Sequence, residues 1–329
     1  MKQYEKLCEI IDQFTKAKIL AVGDMILDRF VTGTVSRISP EAPVPVVDYV
    51  SESFKLGGGA NAINNIAILG GKALAVGVIG TDEEGKTLKK LMYNSGIETK
   101  GIITIDRPTN IKTRIIANQQ QVVRIDKEKI ELLNSKYCQQ IFNFVKTEID
   151  DADAVLISDY DKGVITKKLL KNIIPLAKKH NKPIIVDPKD IHFLDYKGIT
   201  IATPNLKEAS YAAHIHPIDE KSIRNIGKLL LKKLQSEGIL ITRGKDGMTL
   251  FEKNGDETNI PTVAKEVYDV SGAGDTVTGV ISLGLAAGAT MKNAAIIANA
   301  AAGLVVEKLG PCTVTRDELK QQIMEISKK

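Results

Sequence analysis

The stretch Asp269–Ile281 reads D-V-S-G-A-G-D-T-V-T-G-V-I, and the rest of the chain is organised around it. Gly272 and Gly274 flank Ala273, and glycine lets bare backbone approach a ligand closely because it has no side chain. Asp275 follows directly, and a helix-forming run begins after it. The first amides of a helix lack internal partners and carry partial positive charge, so they can bind a phosphoryl group. The stretch therefore predicts an anion-binding loop at the start of a helix.

The pattern places Asp275 immediately before a helix over 276–287. The positive field of such a helix start favours an ionised carboxylate, which could accept a proton from a hydroxyl group. A glycine loop with an aspartate at the helix N-cap is also a common structural feature. The stretch by itself leaves a catalytic and a structural role open.

Composition limits the class of protein. The 329 residues are 43% hydrophobic, enough for one large unit with an appendage or for two units, and the net charge is +5. The lysines are spread along the chain, which is typical of solvated helix faces and not of a nucleic-acid surface. Cys8, Cys138 and Cys312 are too far apart for a disulfide framework. No signal peptide is visible and no apolar run approaches the ~20 residues of a membrane span. We expect a cytoplasmic protein that binds neither nucleic acid nor membrane.

From residue 127 onward, short apolar strands alternate with amphipathic helices, which predicts an α/β fold with a parallel sheet. Strand after strand ends in a polar residue. In an open parallel sheet these ends share one edge, where ligands bind. We therefore expect one site at that edge, lined by Asp24, Asp159, Asp187, Asn205 and Arg243.

Two segments, 30–50 and 108–125, differ from this alternation. They read as strands, and the prolines at 40, 43 and 45 argue against a central position in a sheet. We predict that the two segments form a small antiparallel lid that stands off the main body.

A second glycine-rich stretch, Gly57–Asn61, precedes a predicted helix. It formally matches the dinucleotide fingerprint G-x-G-x-x-A, but Gly77 stands where that motif needs an acid. Close approach of the backbone to a hydroxyl-rich ligand, with hydrogen bonds from the Asn61 amide, is a better interpretation. The sequence contains neither a P-loop motif nor a G-x-S-x-G nucleophile elbow.

Four motifs together resemble the signatures of PfkB-type, or ribokinase-like, sugar kinases. They are G-G-G-A-N at 57–61, T-P-N-L-K-E at 203–208, T-R-G-K-D-G at 242–247 and D-V-S-G-A-G-D-T at 269–276. They occur in the order of that family and span nearly the whole chain. The resemblance implies a three-layer sandwich, with a mostly parallel central sheet flanked by helices, and a small β-sheet lid.

A narrower resemblance is to the bacterial D-glycero-β-D-manno-heptose 7-phosphate kinases. It is carried by residues 23–29, 36–46, 158–160, 162–163 and 186–189, whereas Asp161 and residues 190–197 are less typical. In many of those proteins a nucleotidyltransferase domain follows the kinase. Since this sequence ends at Lys329 and has no H-x-G-H element, the expectation is one kinase domain over 1–329 without a nucleotidyltransferase domain.

The family resemblance also implies residue roles. Asp275 would be the catalytic base that takes the proton of the anomeric hydroxyl, and the backbone of Gly272, Ala273 and Gly274 would stabilise the phosphoryl group in transfer. The remaining roles are ATP binding by Asn205, Leu206, Lys207, Glu208, Thr242, Arg243, Gly244, Gly247 and Asn299; sugar binding by Asp28, Gly58, Gly59 and Asn61; Mg²⁺ contact through water by Asn205 and Glu208; and K⁺ binding by Asp269 and Ser271.

A sugar phosphate also needs a cation at its far end. Arg37, Arg114, Arg124 and Lys189 are candidates because they lie on the predicted lid or sheet edge, and each could equally be a solvated surface charge. Lids in this family often pair between subunits, which implies a homodimer. Two alternatives stay open: a kinase for another sugar such as ribose or fructose, and a non-catalytic nucleotide- or sugar-binding regulator.

Overall fold

The structure is a computed structural model that describes residues 2–264, 266–308 and 312–328. The strands among these residues are, in chain order, β1 (Lys18–Gly23), β2 (Met25–Ile38), β3 (Pro45–Gly58), β4 (Lys72–Gly80), β5 (Glu98–Ile105), β6 (Asn110–Ala117), β7 (Gln120–Lys127), β8 (Ala154–Ser158), β9 (Ile184–Asp187), β10 (Ile201–Ala202), β11 (Gly238–Thr242), β12 (Met248–Glu252) and β13 (Glu257–Ile260).

The α-helices of the described part are α1 (Lys2–Gln13), α2 (Gly59–Ile68), α3 (Glu83–Asn94), α4 (Ser135–Glu148), α5 (Lys167–Lys179), α6 (Leu206–Ala213), α7 (Glu220–Leu234), α8 (Ala273–Ala286), α9 (Met291–Val306) and α10 (Arg316–Ile326). None of these described helices is long and apolar enough to cross a membrane.

The large sheet has the strand order β13-β12-β11-β10-β9-β8-β1-β4-β5. The strands from β11 to β5 are parallel, and the hairpin β12–β13 adds the antiparallel edge. In β1, Ile19 to Val22 are buried on both faces of the sheet, which explains why that strand is apolar without alternation. The predicted mostly parallel sheet is confirmed.

Two hydrophobic cores lie on opposite faces of this sheet. Buried side chains of α1, α2, α3, α8, α9 and α10 form one core, and those of α4, α5, α6 and α7 form the other. The fold is therefore the predicted three-layer sandwich, and the carboxyl ends of its parallel strands meet at one edge.

The second sheet has the order β3-β2-β6-β7 and forms the lid. This sheet differs from the predicted antiparallel lid over 30–50 and 108–125 in two respects. The lid strands extend to Met25 and Gly58, well beyond 30–50, and β2 pairs with β6 in parallel. Long strands carry the lid residues directly into the glycine-rich start of α2, so the lid and the site edge are continuous.

Three other boundaries differ from the predictions. Helix α8 begins at Ala273 and not at 276, because Gly272 adopts the left-handed conformation (φ +82°) that turns the chain into the helix. Helix α4 begins at Ser135 and not at 131, because the Asn134 side chain caps it. Strand β5 and helix α6 were not predicted.

Candidate active site

The glycine-rich starts of α2 and α8 meet at the centre of the site. The Asn61 side-chain amide, in the first turn of α2, donates a 2.7 Å hydrogen bond to Oδ2 of Asp275, in the first turn of α8. A β-carbon on Gly272 would lie 2.9 Å from Asn61 Nδ2, so a larger residue would disturb this contact. Gly274 is exposed, and a β-carbon there would meet open space. The first turns of two helices thus meet at one carboxylate, and each helix N-terminus can favour an anion nearby.

Tyr160 contacts the same carboxylate. Its hydroxyl donates to Oδ1 of Asp275, so both carboxylate oxygens have donors. Sequence reasoning missed this residue as a partner of Asp275. The only signal was its place two residues beyond the end of β8, at the edge where the parallel strands end.

Asp275 is almost fully enclosed, and burial raises its pKa to about 6, against the opposing effect of the Tyr160 and Asn61 hydrogen bonds. The sequence predicted that the helix field favours the ionised form of Asp275; burial acts on its pKa in the opposite direction. Desolvation exceeds the donors' effect because a charged carboxylate loses its water on burial. A carboxylate with this pKa is ionised at neutral pH and is still a competent base.

The lid supplies a second carboxylate. Asp28 on β2 accepts a 2.7 Å hydrogen bond from Arg114 Nη1 on β6, and its charge also raises the pKa of Asp275. Gly57 lies against it: a β-carbon there would be 2.7 Å from an Asp28 oxygen. Two of the predicted sugar-binding residues, Asp28 and Asn61, thus converge on Asp275.

Lys189 lies at this centre and not on the lid. Its ammonium group pairs with Glu208 and sits 5.5 Å from the centre of the Tyr160 ring. Burial lowers the pKa of Lys189, but Asp187 and Glu208 outweigh burial and raise it. Burial also raises the pKa of Asp187 well above its usual range, and the charge of Asp275 adds to this.

A chain of contacts leads from Lys189 to the predicted nucleotide loop. Glu208 and Asn205 form a reciprocal capping box at the start of α6, with hydrogen bonds of 2.9 and 3.0 Å. Asn205 in turn forms a parallel β-bridge with Thr242. The structure therefore brings the predicted motifs at 203–208 and 242–247 together.

Close packing of the backbone fixes the conformation of the loop that follows β11. Gly247 has a φ of +80° and no room for a β-carbon, which would lie 2.1 Å from the Ile260 carbonyl oxygen. Asn299 on α9 donates a 2.8 Å hydrogen bond to the Pro261 carbonyl, next to the same hairpin. The Arg243 guanidinium pairs with Glu220, whereas Gly244 has open space around it. A cavity of about 440 Å³ lies beside Arg243 and Pro261.

Asp24, predicted to line the site, has a structural role instead. It is completely buried and accepts hydrogen bonds from the backbone amides of Tyr160, Lys162 and Val164. These bonds fix the loop that carries Tyr160 towards Asp275. Burial and the charge of Asp159 raise the pKa of Asp24 to about 6.

The other predicted residues lie further out. Arg37 and Arg124 are exposed on the lid, and Lys207 is exposed on α6 beside half-buried Leu206. Asp269 accepts a 2.8 Å hydrogen bond from the amide of Ser271, and the Asp269 amide donates to the Val306 carbonyl at the end of α9. No cluster of three or more His, Cys, Asp or Glu side chains suited to a metal occurs within the described ranges.

Comparison with protein families gives one match of high coverage. Residues 16–318 match the model of the pfkB family carbohydrate kinases. The bifunctional protein HldE of Desulfatibacillum aliphaticivorans is 42% identical over 316 residues, which are 96% of this chain and 65% of that protein. HldE of Trichlorobacter lovleyi is 44% identical over 303 residues, which are 92% of this chain and 62% of that protein. The chain thus spans somewhat less than two thirds of the length of these relatives.

Solved structures share the fold. Ribokinase of Arabidopsis thaliana, in complex with ribose and ATP, superimposes with a TM-score of 0.75 at 21% identity, covering 93% of this chain and 98% of that one. Phosphofructokinase-2 of Escherichia coli, in complex with potassium, gives 0.78 at 18% identity, covering 94% and 99%. The ribokinase-like fold is confirmed.

Proposed function

The chain belongs to the pfkB family of carbohydrate kinases, and from this premise we propose that it transfers the γ-phosphoryl group of ATP to the anomeric hydroxyl of D-glycero-β-D-manno-heptose 7-phosphate. The product would be the 1,7-bisphosphate, a precursor for ADP-heptose and the lipopolysaccharide core. The observation that carries the proposal is Asp275, a buried carboxylate with a pKa of about 6 between two helix N-termini.

In the proposed reaction Asp275 removes the proton from the anomeric hydroxyl. The sugar oxygen then forms a bond to the γ-phosphorus while the bond between that phosphorus and the ADP oxygen breaks. The amides of Gly272, Ala273 and Gly274 stabilise the charge on the transferred group. Asp28 and Asn61 orient the sugar. Lys189, which pairs with Glu208 near Asp275, adds positive charge at the reaction centre.

At the nucleotide end, the proposed ATP site uses the backbone of the 242–247 loop and the start of α6. The sugar and the nucleotide would then lie on opposite sides of Asp275, in line for transfer. We propose the same residues for ATP as the family resemblance implies, with one revision. Because the Arg243 guanidinium pairs with Glu220, the loop backbone and not this side chain would follow the phosphates.

The existing contacts of Glu208 limit how it can bind a metal ion. Both oxygens of Glu208 have partners, Lys189 and the Asn205 amide, so direct coordination of Mg²⁺ does not fit this arrangement. Contact through water does fit, because Mg²⁺ keeps much of its hydration and is held mainly by substrate phosphates. The ion would supply neutralising charge to ATP. We propose the loop at Asp269 and Ser271 as the site of a monovalent cation such as K⁺.

We further propose a cytoplasmic homodimer that forms through the lids. Two apolar side chains of β7, Val123 and Ile125, are exposed on one face of the lid, where a second copy would cover them. Sedimentation of the purified protein would measure its oligomeric state. A monomer at micromolar concentration would contradict the proposed homodimer.

The test of the function is a panel of acceptors with ATP and Mg²⁺: ribose, fructose, fructose 6-phosphate, the free heptose and its 7-phosphate. The proposal expects the highest kcat/KM with the heptose 7-phosphate. Ribose or fructose as the best acceptor would favour the kinase for another sugar. Binding of ATP and sugar without any turnover would favour the regulator.

A further inference from the structure

Next to Asp28, on the lid face that carries it, lie two cations: Lys112, which was not predicted to bind the phosphate, and Arg114, which was. Lys112 is the register partner of Asp28 on the neighbouring strand β6, so both side chains lie on one face of the lid. Arg114, two residues further along β6, lies on that face as well and contacts Asp28. The lid therefore presents two cations beside the carboxylate that faces the reaction centre.

A third cation comes from the main body. Lys162 lies two residues after Tyr160, and its backbone amide donates a hydrogen bond to the Asp24 carboxylate. Its ammonium group lies 2.7 Å from Glu128 Oε2, and the Lys112 ammonium lies 2.6 Å from Glu128 Oε1. One carboxylate thus bridges two lysines that belong to different parts of the fold.

The Lys162, Glu128 and Lys112 side chains are only 13–18% exposed. Removing charges from water is unfavourable, and a buried ion pair offsets that cost only in part. Glu128 directly follows β7, in a segment without regular structure, so its side chain can turn away without breaking a strand. Burial raises the pKa of Glu128, but hydrogen bonds from Lys112 and Lys162 outweigh this and lower it.

Two series of neighbouring residues connect the group with the reaction centre. One path runs from Asp275 through Tyr160 to Lys162, and another runs from Asp275 past Asp28 to Lys112; Glu128 joins the two ends. A sugar with its reactive hydroxyl at Asp275 and other hydroxyls at Asp28 would direct its far end towards the two lysines.

We propose that Lys112 and Lys162 bind the distal phosphate of the sugar substrate, and that Glu128 is an internal counter-ion which that phosphate displaces. The proposal rests on the proposed function and specifies its substrate-recognition site. It assigns the distal phosphate to residues different from the four predicted candidates. Arg37 and Arg124 are exposed on the lid, Arg114 pairs with Asp28, and Lys189 lies at the reaction centre.

The test compares kcat/KM for D-glycero-β-D-manno-heptose 7-phosphate with kcat/KM for the unphosphorylated heptose. We expect Lys112→Met and Lys162→Met each to reduce this preference about tenfold to a hundredfold, mainly through the KM of the phosphorylated sugar, since each removes a charge-assisted contact. Lys129→Met is the matched control, because Lys129 is adjacent in sequence to Glu128 but exposed and paired with Glu131. It should leave the preference unchanged.

Two further variants separate substrate binding from a structural role. Lys162→Met combined with Glu128→Gln removes the ion pair without leaving an unpaired carboxylate, so this protein should fold and still lose the preference. Glu128→Gln alone removes the anion that both lysines share, while Asp126 stays 3.3 Å from Lys112, and it should not raise the KM of the phosphorylated sugar. A rise equal to that of the lysine variants would identify a structural contact between lid and body and would overturn the proposal.

The two proposals fail in different ways. If the unaltered enzyme prefers the phosphorylated sugar and the lysine variants keep that preference, the phosphate-binding role is wrong and the function stands. If the unaltered enzyme prefers the free heptose or another free sugar, both proposals are wrong.

Discussion

Replacing the catalytic carboxylate should make the folded protein more stable. Burial raises the pKa of Asp275 from an ordinary 3.8 to about 6, so the folded state holds this group's charge less favourably than the unfolded chain does. The Asp275→Asn variant would have no charge to bury at this position. The amide that it introduces can still accept from Asn61 and donate to the Tyr160 oxygen, so both contacts of the site persist.

The magnitude follows from the two pKa values. The cost of the charge is absent below the unfolded pKa, increases between the two values, and is fully present above about 6. Asp275→Asn should therefore raise the free energy of unfolding by roughly 3 kcal/mol at pH 7.5 and by roughly half as much at pH 5.

Urea denaturation of both proteins at the two pH values measures this difference. Glu318→Gln is a control of opposite sign, because the Thr315 backbone amide and Lys308 lower the pKa of Glu318 to about 2. The Glu318→Gln variant should have a lower free energy of unfolding at pH 7.5. An unchanged free energy of unfolding in Asp275→Asn, or an equal increase at both pH values, would contradict the reasoning. Either result would show that burial does not destabilise the charged form of Asp275.

The remaining predictions concern activity. The pH profile of kcat/KM should fall on the acid side with an apparent pKa of about 6, as Asp275 becomes protonated; a flat profile down to pH 5 would exclude this base. Tyr160→Phe removes a hydrogen bond that lowers the pKa of Asp275, so the acid limb should move to higher pH, and an unmoved limb would contradict the contact. Gly272→Ala should lower turnover and destabilise the fold by about 1–2 kcal/mol, since φ is +82° and the new methyl group meets Asn61. Gly288→Ala, at φ +78° in open space, should cost similar stability without loss of turnover.

Local patterns were enough to predict the sheet, and they are the basis of the proposed site. Apolar strands that end in polar residues indicated a parallel sheet with one functional edge, and the glycines at 57–59 and 272–274 indicated two helix starts. These features depend on neighbours in the chain, which is why a sequence can reveal them.

Contacts between distant segments could not be predicted in the same way. Tyr160 and Asp275 are 115 positions apart, and only the packing of α8 against the end of β8 joins them. Asp24 resembled a site residue, but three backbone amides that fold back from 160–164 enclose it. The burial that raises the pKa of Asp275 could not be predicted either, since burial is a property of the folded molecule and the expected helix field is local.

The position of the phosphate in the product tests the central claim most directly. The enzyme would be incubated with ATP and D-glycero-β-D-manno-heptose 7-phosphate and the product examined by ³¹P NMR, in parallel with Asp275→Asn. We predict a new phosphate signal coupled to the anomeric proton for the unaltered enzyme, and a rate several orders of magnitude lower for the variant, which should still bind ATP and sugar. A phosphate on another hydroxyl, or near-normal turnover by the variant, would contradict the assignment of Asp275 as the base for anomeric phosphorylation.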